Sequence, residues 1–388
     1  MSHGPATPPV AVTGLAELAP TATSDRTQLE LLAAVARPAM LDAGLLPRAV
    51  DGLLVAPAMA GTPLTQPAMV AEYLGLTPSY CDAVDLGGAT AAGMVWRAGA
   101  AIAAGACRHV LCVLAETVGP WATPRAFWKG LPRNEAETIY GQAGATSAYA
   151  LAANRHAVEF GTTDEQRAAV LVAQRANAAT NELALYRDPL TVDEVLAAPV
   201  ISSPLRLFEI VRAVSGAAAF IVSSGATAVD LRHPPAWLRG FGERVSHNGI
   251  AQMDDLTRTP VADTAQRAMK MAGVASDEID VAEVYDCFTI TVILTLEDAG
   301  FCPKGGGGAF VEGADFGPAS ALPVNTNGGQ LCMGQAGIAG GATHVLQAVR
   351  QLRHAAGDVQ VPGCETAFVN GNGGLFGEQC SLVLGRSR

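Results

Sequence analysis

Charge is scarce in this chain of 388 residues: 16% of them are Asp, Glu, Lys or Arg, against 49% that are apolar. The charge there is leans acidic, 25 basic against 36 acidic side chains, for a net −11. With no basic stripe in view, this argues against nucleic acid as a partner. No uncharged apolar run reaches the roughly 18 residues that a membrane span requires. The eight cysteines (Cys81, Cys107, Cys112, Cys287, Cys302, Cys332, Cys364, Cys380) stand singly, without a CxxC pair. A metal site and a disulfide framework are therefore both unexpected, and most of the thiols read as reduced core residues. Residues 1–9 are proline-rich and lack the apolar core of a signal peptide, so the chain reads as cytoplasmic.

What the chain has in abundance is small residues. Its 42 glycines and its Ala-rich runs imply helices packed closely on one another and on a sheet. The length exceeds one ordinary core and predicts two domain-sized units or an intertwined pair. So low a charge fraction also suits a surface partly covered by a second subunit. Short apolar strands alternate with longer helical runs. Val10-Ala11-Val12 begins a strand ending at Gly14, and 28–43 is helical with Gly44 as its stop. Residues 51–55 form a second strand, 89–105 a small-residue helix, and 109–114 a strand of the fully buried kind. This alternation predicts an α/β architecture with a largely parallel sheet.

A faint internal repeat runs through it. Met40-Leu41-Asp42-Ala43-Gly44, then Asp51 and Val55, is answered by Met269-Lys270-Met271-Ala272-Gly273, then Asp280 and Val284. A glycine pair follows in each half, Gly87-Gly88 and Gly328-Gly329, opening an Ala/Gly-rich run. The stretch from Trp121 to about Pro204 has no counterpart. It holds helical runs at 147–160 and 163–178 and sits where a lid or recognition region belongs.

The segment Glu283-Val284-Tyr285-Asp286-Cys287-Phe288-Thr289, followed by Asn325-Thr326-Asn327-Gly328-Gly329, resembles the C-terminal half of a thiolase of the sterol-carrier-protein-x type. Tyr149-Ala150-Leu151, Asp188-Pro189-Leu190-Thr191, Ser203-Pro204-Leu205-Arg206-Leu207 and Gly216-Ala217-Ala218-Ala219 extend the resemblance over nearly the whole chain. It implies a thiolase fold: two pseudo-symmetric βαβαβαββ halves in a five-layer αβαβα arrangement. The halves would be 1–235, with a loop insertion at about 118–204, and 236–388. It also implies a homodimer whose sheets pair edge to edge.

Against the family's catalytic pattern this chain departs at four positions. The nucleophilic cysteine falls on Gly88, in Val84-Asp85-Leu86-Gly87-Gly88-Ala89-Thr90, and the G-H-P histidine on Gln335. The second cysteine falls on Asn370, in Asn370-Gly371-Asn372-Gly373-Gly374, and the histidine of H-D-C-F on Tyr285. Backbone N–H groups at Gly88 and near Asn372 would still form an oxyanion hole. Gln335 can donate to a carbonyl, and Tyr285 can move a proton. Thiolase-like proteins without the cysteine include aldolases that cleave steroid side chains from β-hydroxyacyl-CoA, with a tyrosine at the position of Tyr285. They work with a small zinc-ribbon and OB-fold partner.

The expected activity is therefore a carbon–carbon lyase, with a CoA thioester as substrate and no covalent cofactor. A non-catalytic acyl-CoA- or lipid-binding subunit is the second reading. The third is an acyltransferase using Cys81, Cys287 or Cys332. Those aldolases tend to carry a second tyrosine where this chain has Gln335, so Tyr140 and His247 are candidates for a second proton-transfer group. Arg125 and Lys129 are candidates for the CoA phosphates, and Trp128 for packing on adenine or pantetheine.

Overall fold

The computed structural model describes residues 9–59, 61–119, 136–142 and 144–388. Arg125, Lys129 and Trp128, the expected CoA contacts, lie outside the described residues. The strands are β1 (Val10–Glu17), β2 (Gly52–Val55), β3 (Tyr80–Ala83), β4 (His109–Glu116), β5 (Val200–Ser202), β6 (Leu205–Arg206), β7 (Gly216–Ser224), β8 (Ala236–Val245), β9 (Val281–Val284), β10 (Thr366–Gly373) and β11 (Glu378–Gly385). Among the described residues nine of them join in one mixed sheet, in the order β3-β2-β4-β7-β1-β8-β11-β10-β9, and β5 pairs with β6 apart from it.

Followed outward from the β1–β8 seam, the sheet has the same strand succession on both sides. It runs β1-β7-β4-β2-β3 one way and β8-β11-β10-β9 the other, with a single bridge between Ala282 and Val324 where β3 would have its counterpart. The helices Thr90–Ala103 and Ala342–Leu352 each pack on strands from both sides, including β7 and β10, and so form a layer between them. A helix enclosed on all sides needs apolar residues all round, and Thr90–Ala103 supplies mostly alanine, glycine, methionine and valine. The core it shares reaches from Val12 and Leu114 to Val369 and Leu382. Gln28–Ala43 covers the outer face of β1, β4 and β7, and Val261–Ala272 covers β8 and β11. The layers thus alternate helix, sheet, helix, sheet, helix.

The repeated residues do equivalent work. Gly44 and Gly273 end their helices in the left-handed region, at φ 74° and 70°. Asp51 Oδ1 accepts the backbone N–H groups of Arg108 and His109 at 2.8 Å and so fixes the start of β4. Asp280 Oδ2 accepts those of Glu365 and Thr366 at 2.9 and 2.8 Å and fixes the start of β10.

The sheet is not largely parallel as the sequence reading had it: five of its eight strand pairings are antiparallel, and β2–β3, β2–β4 and β9–β10 are parallel. A strand boundary differs as well. β1 does not end at Gly14 but shifts register between Val12 and Gly14 and runs on to Glu17. A Cβ at Gly14 would stand 2.4 Å from the Ala39 carbonyl oxygen, so this glycine marks a close helix crossing, not a strand end. Among the described residues no helix is long and apolar enough to cross a membrane.

Candidate active site

β9 ends at Val284, and the next residues turn in different directions. Asp286 is fully buried and accepts the Gln330 and Leu331 N–H groups at 2.9 and 3.0 Å, holding the short helix Gly329–Met333. Tyr285 is tied by its own N–H to the Asn370 carbonyl, 3.0 Å away. Its ring reaches across the seam to the turn before Thr90–Ala103. A Cβ placed on Gly88 would lie 2.3 Å from Tyr285 Oη and 2.4 Å from the Asn372 carbonyl oxygen. The phenol hydroxyl therefore occupies the volume that any side chain at position 88 would need. Gly341 closes the same space from the other side: a Cβ there would lie 2.1 Å from the Gly88 carbonyl and 3.3 Å from the Tyr285 ring.

Burial is the main cause that pushes the Tyr285 hydroxyl well above the usual phenol range, reinforced by Cys287 and Asp286, with the Gln330 amide working the other way. At neutral pH it is a neutral phenol, a proton donor. Thr90 locks the turn above it, accepting from Leu86 N at 2.9 Å and donating to the Gly87 carbonyl at 2.7 Å. The first turn of Thr90–Ala103 thus ends beside Tyr285 Oη, and the positive end of its dipole favours negative charge there.

The remaining expected residues are placed as follows. Asn370 is fully buried, with Nδ2 donating to Gln379 Oε1 at 3.2 Å and Oδ1 accepting from Ser381 at 2.8 Å. Its side chain is committed to β11, while its carbonyl holds Tyr285. At Asn372 the group nearest the position over Gly88 is the carbonyl oxygen, an acceptor, where an oxyanion-hole N–H had been expected. Gln335 turns its amide onto its own loop, 3.4 Å from the Gly337 carbonyl, with its Cγ against Gly340.

Neither candidate for a second proton-transfer group joins Tyr285. Tyr140 is 84% exposed. His247 uses both ring nitrogens, at 2.9 Å from Ser246 Oγ and 2.9 Å from the Leu375 carbonyl, to hold its loop to the β10–β11 turn. A different phenol lies there instead. Tyr149 is buried, stacked on Phe288 at 4.4 Å between ring centroids, and its Oη accepts from Asn372 Nδ2 at 2.7 Å. Its one sequence signal was its place at the head of a family-like segment.

The thiols near the site sit where burial disfavours the thiolate. Burial pushes Cys287 and Cys332 up to about 12, and it also raises the exposed Cys81. Sequence reasoning also missed a buried ionic group behind Tyr285. His344, from Ala342–Leu352, stands 3.2 Å from Asp286 Oδ1 and 3.9 Å from Glu283 Oε2, its ring centroid 6.0 Å from that of Tyr285. Burial alone would lower its pKa. The two carboxylates outweigh burial and raise it from 6.5 to about 9, so it is an imidazolium at neutral pH. Two buried acids in one strand segment, Glu283 and Asp286, were the available hint that a cation must lie opposite.

A doubled strand–helix unit with glycine turns meeting over a buried helix N-terminus defines the thiolase fold class. Residues 242–386 match the family described as Thiolase C-terminal domain-like. The acetyl-CoA acetyltransferase of Methanothermobacter thermautotrophicus is 32% identical over 355 residues, covering 90% of this chain and 92% of the relative. The steroid side-chain-cleaving aldolase of Thermomonospora curvata is 29% identical over 408 residues, covering 97% and 98%. A solved structure, the Ltp2-ChsH2(DUF35) aldolase, superposes with a TM-score of 0.88 at 27% identity over 98% of this chain and 99% of that one. The chain belongs to the thiolase superfamily and is of the sterol-carrier-protein thiolase-like kind.

Proposed function

We propose that the protein is a carbon–carbon lyase that cleaves a β-hydroxyacyl-CoA by retro-aldol chemistry, with Tyr285 as the proton donor. The observation that carries this reading is steric: the Tyr285 hydroxyl fills the side-chain space over Gly88, where the family's acyl-accepting cysteine would stand. A site built this way positions an O–H, not a thiolate, at the helix N-terminus. In the reaction a base takes the β-hydroxyl proton, and the Cα–Cβ electron pair passes into a thioester enolate as the ketone or aldehyde departs. Tyr285 returns a proton to Cα. The Gly88 N–H and the helix N-terminus would hold the enolate oxygen. The conjugate acid of that base then reprotonates Tyr285, so the β-hydroxyl proton replaces the one given to Cα.

Two relatives support the reading, one named as a steroid side-chain-cleaving aldolase and one as a 17-hydroxy-3-oxo-4-pregnene-20-carboxyl-CoA lyase. The similar aldolase structure includes a DUF35 protein, and a partner of that kind is proposed here as well. The relative named acetyl-CoA acetyltransferase favours acyl transfer instead. That route needs a thiolate, and the thiols at hand are held protonated.

Incubation with β-hydroxyacyl-CoA esters, with and without such a partner, is expected to release a ketone or aldehyde and a shortened acyl-CoA. Tyr285→Phe is expected to lower kcat by ~10²–10⁴, the usual share of one proton-transfer group. Undiminished kcat in that variant would remove Tyr285 from the mechanism.

A further inference from the structure

Tyr149 is buried beside the site, and the proton transfers above leave it unused. Its hydroxyl ends a hydrogen-bond chain whose direction is fixed at the far end. The Phe376 carbonyl, which can only accept, lies 2.9 Å from Gln379 Nε2. Gln379 therefore turns its NH2 to that side, and the same NH2 donates to Asn372 Oδ1 at 2.6 Å. Its Oε1 accepts from Asn370 Nδ2 at 3.2 Å. Turning the Asn372 amide over would set two NH2 groups against each other. Asn372 Nδ2 therefore faces Tyr149 Oη, 2.7 Å away, and donates to it. The phenol has one proton, and since its oxygen accepts from Asn372, its O–H points away from that amide. On that side the protein offers the Cys287 sulfur, 3.9 Å from Asn372 Nδ2 and a weak acceptor. Asn372 also joins the phenol to the site, because its carbonyl oxygen lies 2.4 Å from the Cβ position over Gly88.

We propose that Tyr149 is a second substrate contact, whose O–H donates a hydrogen bond to the oxygen on Cβ of the acyl chain. This inference rests on the lyase reading and deepens it. The oxygen on Cβ is a hydroxyl in the β-hydroxyacyl-CoA. It gathers negative charge as the base removes its proton, and it becomes the carbonyl oxygen of the departing ketone or aldehyde. In all three forms it accepts a hydrogen bond, most strongly in the charged one. Tyr149 keeps its own proton throughout. Burial, which raises its hydroxyl well above the usual phenol range, holds it as a donor. Tyr285 thus serves Cα, and Tyr149 serves the oxygen one carbon farther on.

The test is one of binding and needs no turnover. Acetoacetyl-CoA carries an oxygen on Cβ, yet retro-aldol cleavage leaves it whole because it has no β-hydroxyl. Butyryl-CoA lacks that oxygen. Isothermal titration of both esters against the wild-type chain and against Tyr149→Phe closes a cycle. Phenylalanine keeps the ring that packs on Phe288 and Phe376 at 4.4 and 4.2 Å between centroids, so the variant is expected to fold. In Tyr149→Phe the preference for acetoacetyl-CoA over butyryl-CoA is expected to fall roughly threefold to tenfold, the usual net worth of one hydrogen bond. An unchanged preference, or an equal loss of affinity for both esters, overturns the proposal and leaves the lyase reading standing. Failure of the wild-type chain to bind either ester overturns both.

Discussion

At Gly88 the requirement for glycine is one of space. Its φ is not among the left-handed ones, and what excludes a Cβ is Tyr285 Oη at 2.3 Å and the Asn372 carbonyl at 2.4 Å. Gly88→Cys is therefore expected to destabilise the fold by ~1–3 kcal/mol through overpacking. Tyr285→His removes one of the two colliding groups and leaves the Asn372 carbonyl, so the double variant should recover part of that loss. A favourable coupling of about 1 kcal/mol is expected from urea unfolding of the four proteins of the cycle. Strict additivity would show that the glycine and the tyrosine are not a matched pair. The same geometry predicts that Gly88→Cys alone does not create an acyl-accepting enzyme, since its sulfur has no room while Tyr285 is present.

At the scale of elements, both halves begin an inner strand with one carboxylate that accepts two backbone N–H groups. Asp51 does so for β4 and Asp280 for β10. Hydrogen bonds to a charged acceptor are worth more than neutral ones, but both carboxylates lie near the surface. Replacing either by Ala is expected to cost roughly 1–2 kcal/mol and to speed amide exchange at His109 or Thr366 respectively. A clear effect from one site and none from the other would break the functional equivalence of the repeat. The helix Asp164–Ala178 is likewise fixed locally, by a capping box between Thr163 and Gln166 at 3.1 and 3.2 Å.

For the molecule as a whole, the buried imidazolium ties stability to pH. His344 is raised from 6.5 to about 9 in the folded state, so folding retains a proton that the unfolded chain releases. This contribution is complete below about pH 6.5 and is lost as pH rises through about 9; at most it is on the order of 3 kcal/mol. Urea unfolding from pH 6 to 10 should show the decline, and His344→Gln should flatten it. The open edge of the sheet bears on assembly. β3 presents Cys81, Asp82 and Ala83 to solvent at the end of nine strands, an unpaired row of backbone groups that folded proteins cover or protect. We propose a homodimer formed through this edge. Light scattering should give twice the 39.7 kDa of one chain, and a monomer at micromolar concentration would refute it.

Much of this was legible in the chain because it depends on neighbours a few residues away. The helix 28–43 with its glycine stop, the spacing from Gly44 to Asp51 and from Gly273 to Asp280, and the buried strand at 109–114 all follow from local rules of capping and periodicity. Tyr285 and Gly88 were singled out by their places in motifs. The interior of the site was not legible, because its partners are far apart along the chain. Tyr149 meets Asn372 across 223 positions. Gln330 and His344 belong to different helices and converge on residues at the end of β9. Nor could the sequence show that His247 spends both nitrogens on tying its loop to the β10–β11 turn, or that Tyr140 stands in water. By itself the sequence determined which segments become strands and helices and which family they build. The tertiary structure decided which side chain fills the space over Gly88, because that depends on two halves folding face to face around one buried layer of helices.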